Sequence, residues 1–140
     1  MATVTTSAHI GARTRRYGSV VGGLMLAAFT LSLVHTVYAW LADLADPDFS
    51  VTTPLAWGFY AVAFAVAFLA QRDTPAAEWT VAAYLLVVLV IAVLYYPTTF
   101  TPAQQTVFGW FENDVYVGLL VAAFVLQVLR LRDVSLVARR

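Results

Sequence analysis

The stretch YGSVVGGLMLAAFTLSLVHTVYAWLA, from Tyr17 to Ala42, decides the fold class. It runs 26 residues without one charge. A helix needs about 20 apolar residues to cross roughly 30 Å of hydrocarbon. Further along, residues 49–71 carry no charge. Glu78 and Glu112 bracket a third such run, with a polar dip from Pro97 to Thr106, and Val115–Leu129 is a fourth. Strands are excluded because the runs are too long and are dominated by Ala and Leu. Only Ala61–Phe68 alternates small and large residues, and it sits inside a longer apolar run.

The whole chain agrees with its first span. Its 140 residues are 61% hydrophobic and 11% charged, with mean hydropathy +0.79. A soluble domain of that size has too little interior for so much apolar surface, so the bilayer is the expected solvent. The fold class is therefore all-α: a polytopic membrane protein with four transmembrane helices in an up-down bundle.

Helix starts are marked by a repeated dipeptide. Thr53-Pro54, Thr74-Pro75 and Thr101-Pro102 each offer a capping hydroxyl followed by a proline at the first helical position. Gln104 adds a capping-box pattern to the last. The predicted helices are 17–44, 54–71, 75–96 and 102–131, within a transmembrane domain 17–131. The last is expected to bend near Gly109, with its first part at the membrane surface. Residues 1–16 are predicted to be a polar, disordered cytoplasmic tail and 132–140 a second cytoplasmic tail.

All eight basic residues are arginines, at 13, 15, 16, 72, 130, 132, 139 and 140. Four crossings put every one of them on the same side, which the positive-inside rule makes cytoplasmic. Both termini then lie inside, and the expected location is the cell membrane. The inner side carries +5; the outer side carries −5, from Asp43, Asp46, Asp48, Glu112 and Asp114. Thr14-Arg15-Arg16 has a twin-arginine look, but an apolar core of about 24 residues far exceeds that of a signal peptide. Helix 1 is read as permanent.

Composition removes whole classes of chemistry. Without cysteine there is no disulfide, thiol relay or thiolate metal site, and without lysine no Schiff base or P-loop lysine. With two histidines, a tri-histidine metal site within one chain is out. Motifs for phosphate or nucleic-acid binding and for hydrolysis are also lacking. No catalytic residue, cofactor site, metal site or nucleic-acid partner is expected.

One candidate polar site remains: His35, Glu112, Asp114 and Tyr116. His35 is the one ionisable group deep in a span, about two turns inside Asp43. Its neighbours at helical spacing are small, so it is expected to face protein. Buried ionisable groups in membranes are functional candidates by default; the plain alternative is a neutral histidine with one hydrogen bond. Glu112 and Asp114 point about 200° apart on a helix. Asp114 continues a small-residue stripe through Gly118 and Ala122 and is expected to face the bundle, near His35. Glu112 shares its face with Tyr116. The plain reading of both acids is anchoring at a helix start, by about 0.3–1 kcal/mol each.

Gly18-xxx-Gly22 and Gly23 permit close helix approach, within the chain or between chains. Gly18, Gly22, Gly23, Gly118 and Ala122 are thus the residues through which a second copy or a membrane-protein partner would pack. The four tryptophans fall near the predicted interfaces, as an aromatic belt in contact with the lipid bilayer.

The stretch Tyr96–Gln105 (YPTTFTPAQQ) and Phe108–Gly118 (FGWFENDVYVG), with the lysine-free, Ala-, Val- and Thr-rich composition, resembles small uncharacterised membrane proteins of haloarchaea. The resemblance implies a membrane fold and brings no activity and no site residues. From the residues alone, the expected function is a non-enzymatic accessory or structural membrane component. Two alternatives stand beside it. One is a small homo-oligomeric proton or cation transporter or channel using His35 and the external acids. The other is a haem-binding redox subunit with His35 paired across a dimer.

Overall fold

A computed structural model describes residues 3–99 and 106–138. It is all-helical among the described residues: α1 (Thr3–Leu41), α2 (Pro54–Leu69), α3 (Pro75–Val90), a π-helical turn (Ile91–Tyr95), α4 (Tyr96–Thr99) and α5 (Val107–Ala138).

The expected N-terminal tail is instead the first four turns of α1, and the expected C-terminal tail is largely the end of α5. Extending an existing helix costs far less than nucleating one. Residues such as Ala8, Ala12, Arg13 and Arg132 are good helix formers, and no proline stops either end. At its other end α1 stops at Leu41, three residues before the predicted boundary. Asp43 takes the left-handed conformation (φ 58°). The Leu44 N–H reaches back to the Ala39 carbonyl at 2.8 Å, and the Asp43 N–H to that of Trp40 at 3.3 Å. This is a Schellman closure, with aspartate where glycine is more usual.

The Thr-Pro signals at α2 and α3 start helices where expected. Thr74 Oγ1 accepts the Ala77 N–H at 3.3 Å. Thr53 uses its hydroxyl differently: it accepts the Ser50 N–H at 3.1 Å and donates to the Ser50 carbonyl at 2.9 Å, closing the loop ahead of α2. Thr101-Pro102 lies outside the described residues. α5 begins later than predicted, at Val107, and Thr106 Oγ1 caps it by accepting the Gly109 N–H at 3.0 Å. The helix then runs uninterrupted through Gly109.

α3 was expected to end before Pro97, but the chain stays helical to Thr99. A proline ring inside an α-helix collides with the carbonyl four residues back. The wider π turn ahead of it makes room, with the Tyr96 N–H bonded five residues back to Ile91.

The long helices close a ring: α1 packs on α2, α2 on α3, α3 on α5, and α5 most extensively on α1. The buried centre comes from Val21, Met25 and Phe29 of α1, Val81 and Leu85 of α3, and Leu120 of α5. Phe29 meets Phe59, Tyr84 and Tyr116 edge-on at 5.9–6.1 Å.

The outside is as apolar as the inside. Leu41, Leu94, Trp79 and Phe111 are each about two-thirds exposed. Arg16–Leu41, Pro75–Thr99 and Val107–Asp133 are long and apolar enough to cross a membrane, whereas α2 is a shorter apolar helix of 16 residues.

In lipid, burying leucine against leucine gains little, so close packing and polar contacts must hold the helices together. Gly18 and Gly22 supply the close packing. A Cβ on Gly18 would lie 2.6 Å from the Ala70 carbonyl oxygen, and one on Gly22 2.8 Å from that of Ala67. These two glycines are used inside the chain, between α1 and α2. Gly23 and Gly118 face open space, and Ala122 is exposed.

A candidate polar site at one end of the bundle

The face of α5 that turns inward carries Glu112, Tyr116, Leu120, Ala123, Gln127 and Arg130, all buried. The stripe Asp114–Gly118–Ala122 turns outward. The expectation that Asp114 faces the bundle is therefore corrected: the two acids do point apart, but Glu112 is the inner one. Small residues allow close packing without requiring it. Glu112, Gln127 and Arg130 share one stripe, and facing that stripe to lipid would strand three polar groups at once.

Glu112 meets His35. The imidazole Nδ1 lies 3.5 Å from Glu112 Oε2, with the side chains 16% and 7% exposed. The two are within ion-pair range, but Nδ1 has no aligned hydrogen bond among the described residues. Phe108 stacks on the imidazole at 6.0 Å, and Tyr38 meets Phe108 edge-on at 4.9 Å. The site thus forms where the end of α1 crosses the start of α5. Tyr116, one turn further along α5, belongs to the aromatic cluster around Phe29.

A second polar group sits beside this pair and was not anticipated. Tyr60 of α2 lies 2.7 Å from Thr36 Oγ1 and 3.1 Å from Ser32 Oγ. Thr36 donates its one proton to the Ser32 carbonyl at 3.0 Å. Tyr60 must then donate to Thr36, which leaves Ser32 to donate to Tyr60. Ser32 and Thr36 thereby bind α1 to α2. Tyr60→Phe is expected to lower stability by about 1 kcal/mol, read from denaturation in mixed micelles. An unchanged midpoint would mean that the two hydroxyls satisfy themselves.

Above these groups is a cavity of about 50 Å³. Among its lining residues are His35, Thr36, Tyr38, Asp46, Phe49 and Tyr96. Among the described residues no three His, Asp or Glu side chains gather as metal ligands would.

The opposite end holds a group that the sequence reading missed. Arg130, assigned there only to topology, is fully buried. It donates to the carbonyls of Ala70 and Arg72 and to Asp73 Oδ1, each at 2.8 Å. Its Nε stands 3.3 Å from Glu78 Oε1, and Gln127 donates to the Glu78 carbonyl at 2.8 Å. One guanidinium thereby satisfies the C-cap carbonyl of α2 and a carbonyl of the α2–α3 turn, and ties α5 to both.

No protein-family model, curated protein or solved structure matches this chain. Its function therefore has to be read from the arrangement itself.

Proposed function

We propose that the protein is an integral membrane protein of four crossings with both termini cytoplasmic, and that it serves as a non-enzymatic accessory or structural component of the cell membrane. One observation carries this reading: two buried polar layers separated by a packed apolar one. His35 stands 17 residues beyond Gly18, and Glu112 stands 18 residues before Arg130. Either interval is about 26 Å by helical rise, close to the thickness of a hydrocarbon core. Between the layers Val21, Met25, Phe29, Leu85 and Leu120 are fully buried. A single bundle so filled favours a structural role over a conducting one.

The four tryptophans support the placement. Each is 43–66% exposed, and by position Trp40, Trp57 and Trp110 mark the His35 end and Trp79 the Arg130 end. The arginines of the described core, Arg16, Arg72, Arg130 and Arg132, belong to the Arg130 end, which the positive-inside rule assigns to the cytoplasm. Cysteine replacements at Asp46 and Asp114 in this cysteine-free chain are expected to react with an impermeant label from outside. Replacements at Arg72 and Arg132 should react only after permeabilisation. The reverse pattern would overturn the orientation.

The transporter reading draws its support from the His35–Glu112 pair. Purified protein in vesicles loaded with pH- or cation-sensitive dye separates the two readings. No flux above empty vesicles is expected. A flux abolished by His35→Ala would replace the structural role with transport. The haem reading draws no support, because His35 faces Glu112 and is stacked by Phe108; a Soret band after haem supplementation would revive it.

A further inference from the structure

We propose that the cavity above His35 binds a small organic cation, an alkylammonium group with one or a few carbons on nitrogen. The pocket forms where the end of α1, the α1–α2 connection and α4 come together. Tyr38, Phe49 and Tyr96 are among the aromatic residues that line it, and Asp46 is the one acidic residue among its described lining.

Three observations lead to a cation. First, Asp46 is part-buried and held in place, its Oδ1 accepting the Asp48 N–H at 2.7 Å. Second, among the described residues every arginine belongs to the far end of the bundle, about 26 Å away by helical rise. Asp43, Asp46, Asp48, Glu112 and Asp114 share this end with a single imidazole. The field in the pocket is therefore negative, and low-dielectric walls concentrate it. Third, the aromatic lining offers ring quadrupoles, which attract a cation without a full set of oxygen ligands.

The same lining argues against a metal ion. Calcium takes six to eight oxygens and magnesium a near-ideal octahedron, whereas the described lining holds one acidic residue, one histidine and scattered hydroxyls. Ala39 and Leu44 add apolar wall that suits methyl or methylene groups better than a hydrated ion. The size fits too: a single water needs about 10–15 Å³ of such space, and this cavity has about 50 Å³.

The test is calorimetric titration of the full chain in nanodiscs with tetramethylammonium and with methylammonium chloride, at constant ionic strength. Saturable binding of at least one of them is expected, and sodium or magnesium chloride should not displace it. Asp46→Asn keeps an acceptor for the Asp48 N–H and removes the charge; it should weaken binding about tenfold. Phe49→Leu removes a ring face and should weaken it about threefold or more. Asp114→Asn, on the outer face and adding only to the long-range field, should weaken binding far less than Asp46→Asn. The far-ultraviolet circular dichroism of each variant confirms its fold. If Asp46→Asn does not fold, the contrast between Phe49→Leu and Asp114→Asn decides. Absence of saturable binding by the unaltered protein overturns the proposal. So does equal weakening by Asp114→Asn, which would mean diffuse surface attraction, or displacement by magnesium, which would mean a metal site.

Discussion

Arg130→Ala is expected to cost the bundle about 3–5 kcal/mol, the range for removing one partner of a buried ion pair. The loss has two sources. Asp73 and Glu78 would stand next to each other without the cation between them, Glu78 almost fully buried. The buried Ala70 carbonyl would lose its donor where water is scarce, while that of Arg72, in an exposed turn, would fall back on solvent. Arg130→Lys should recover only part of the loss, because an ammonium cannot reach two carbonyls and two carboxylates in one plane. The double change Arg130→Met with Glu78→Gln should be milder than Arg130→Ala alone, since it removes most of the stranded charge. Unfolding in mixed detergent micelles, followed by circular dichroism, measures all three. A midpoint within error of the unaltered protein for Arg130→Ala would show that the network is marginal.

Gly18→Val should be the most disruptive single change on α1. The new Cβ alone would lie 2.6 Å from the Ala70 carbonyl oxygen and 3.0 Å from Arg130 Nη1. The first obstacle is backbone at the end of a helix, which cannot swing away as a side chain does. α1 and α2 must then separate, and the guanidinium must leave the pocket it shares with both. Overpacking alone typically costs about 1–3 kcal/mol, and here the Arg130 network is disturbed as well. Gly23→Val provides the control, because a Cβ there meets nothing within 4 Å. A cysteine pair designed across the α1–α2 contact, oxidised in membranes, should cross-link in the Gly23→Val background and fail in Gly18→Val. Equal cross-linking in both would show that the close approach is not needed.

Much of the helical layout was legible because its signals are local. Thr53-Pro54 and Thr74-Pro75 mark helix starts through a hydroxyl and a missing N–H, and neither depends on distant contacts. The inward orientation of His35 was legible from the small residues at helical spacing on its own face. The choice between Glu112 and Asp114 was not legible from small residues alone. The same helix face had to be judged over five turns, down to Gln127 and Arg130, before the polar groups decided the rotation. Arg130 itself was hidden by a sufficient explanation: an arginine at the end of an apolar run already satisfies the positive-inside rule. Its burial depends on the α2–α3 turn folding back onto α5, a long-range event. Tyr60 escaped notice for a similar reason, since a tyrosine in a membrane helix is commonly read as an interfacial anchor.

The shortness of α2 has a consequence for the surrounding lipid. Its 16 residues rise about 24 Å, whereas the 25 residues of Pro75–Thr99 and the 27 of Val107–Asp133 rise about 37 and 40 Å. A crossing bundle of this shape has one low wall. Acyl chains beside α2 must shorten by several ångströms or the neighbouring helices must lean, at a cost of fractions of a kcal/mol per ångström of mismatch. In the proposed four-crossing arrangement the bilayer thins, or the neighbouring helices lean, on that flank alone. In a thick, sterol-like membrane that flank is the place where a second short-walled helix would relieve the strain, so bilayer thickness becomes a lever on how these molecules gather.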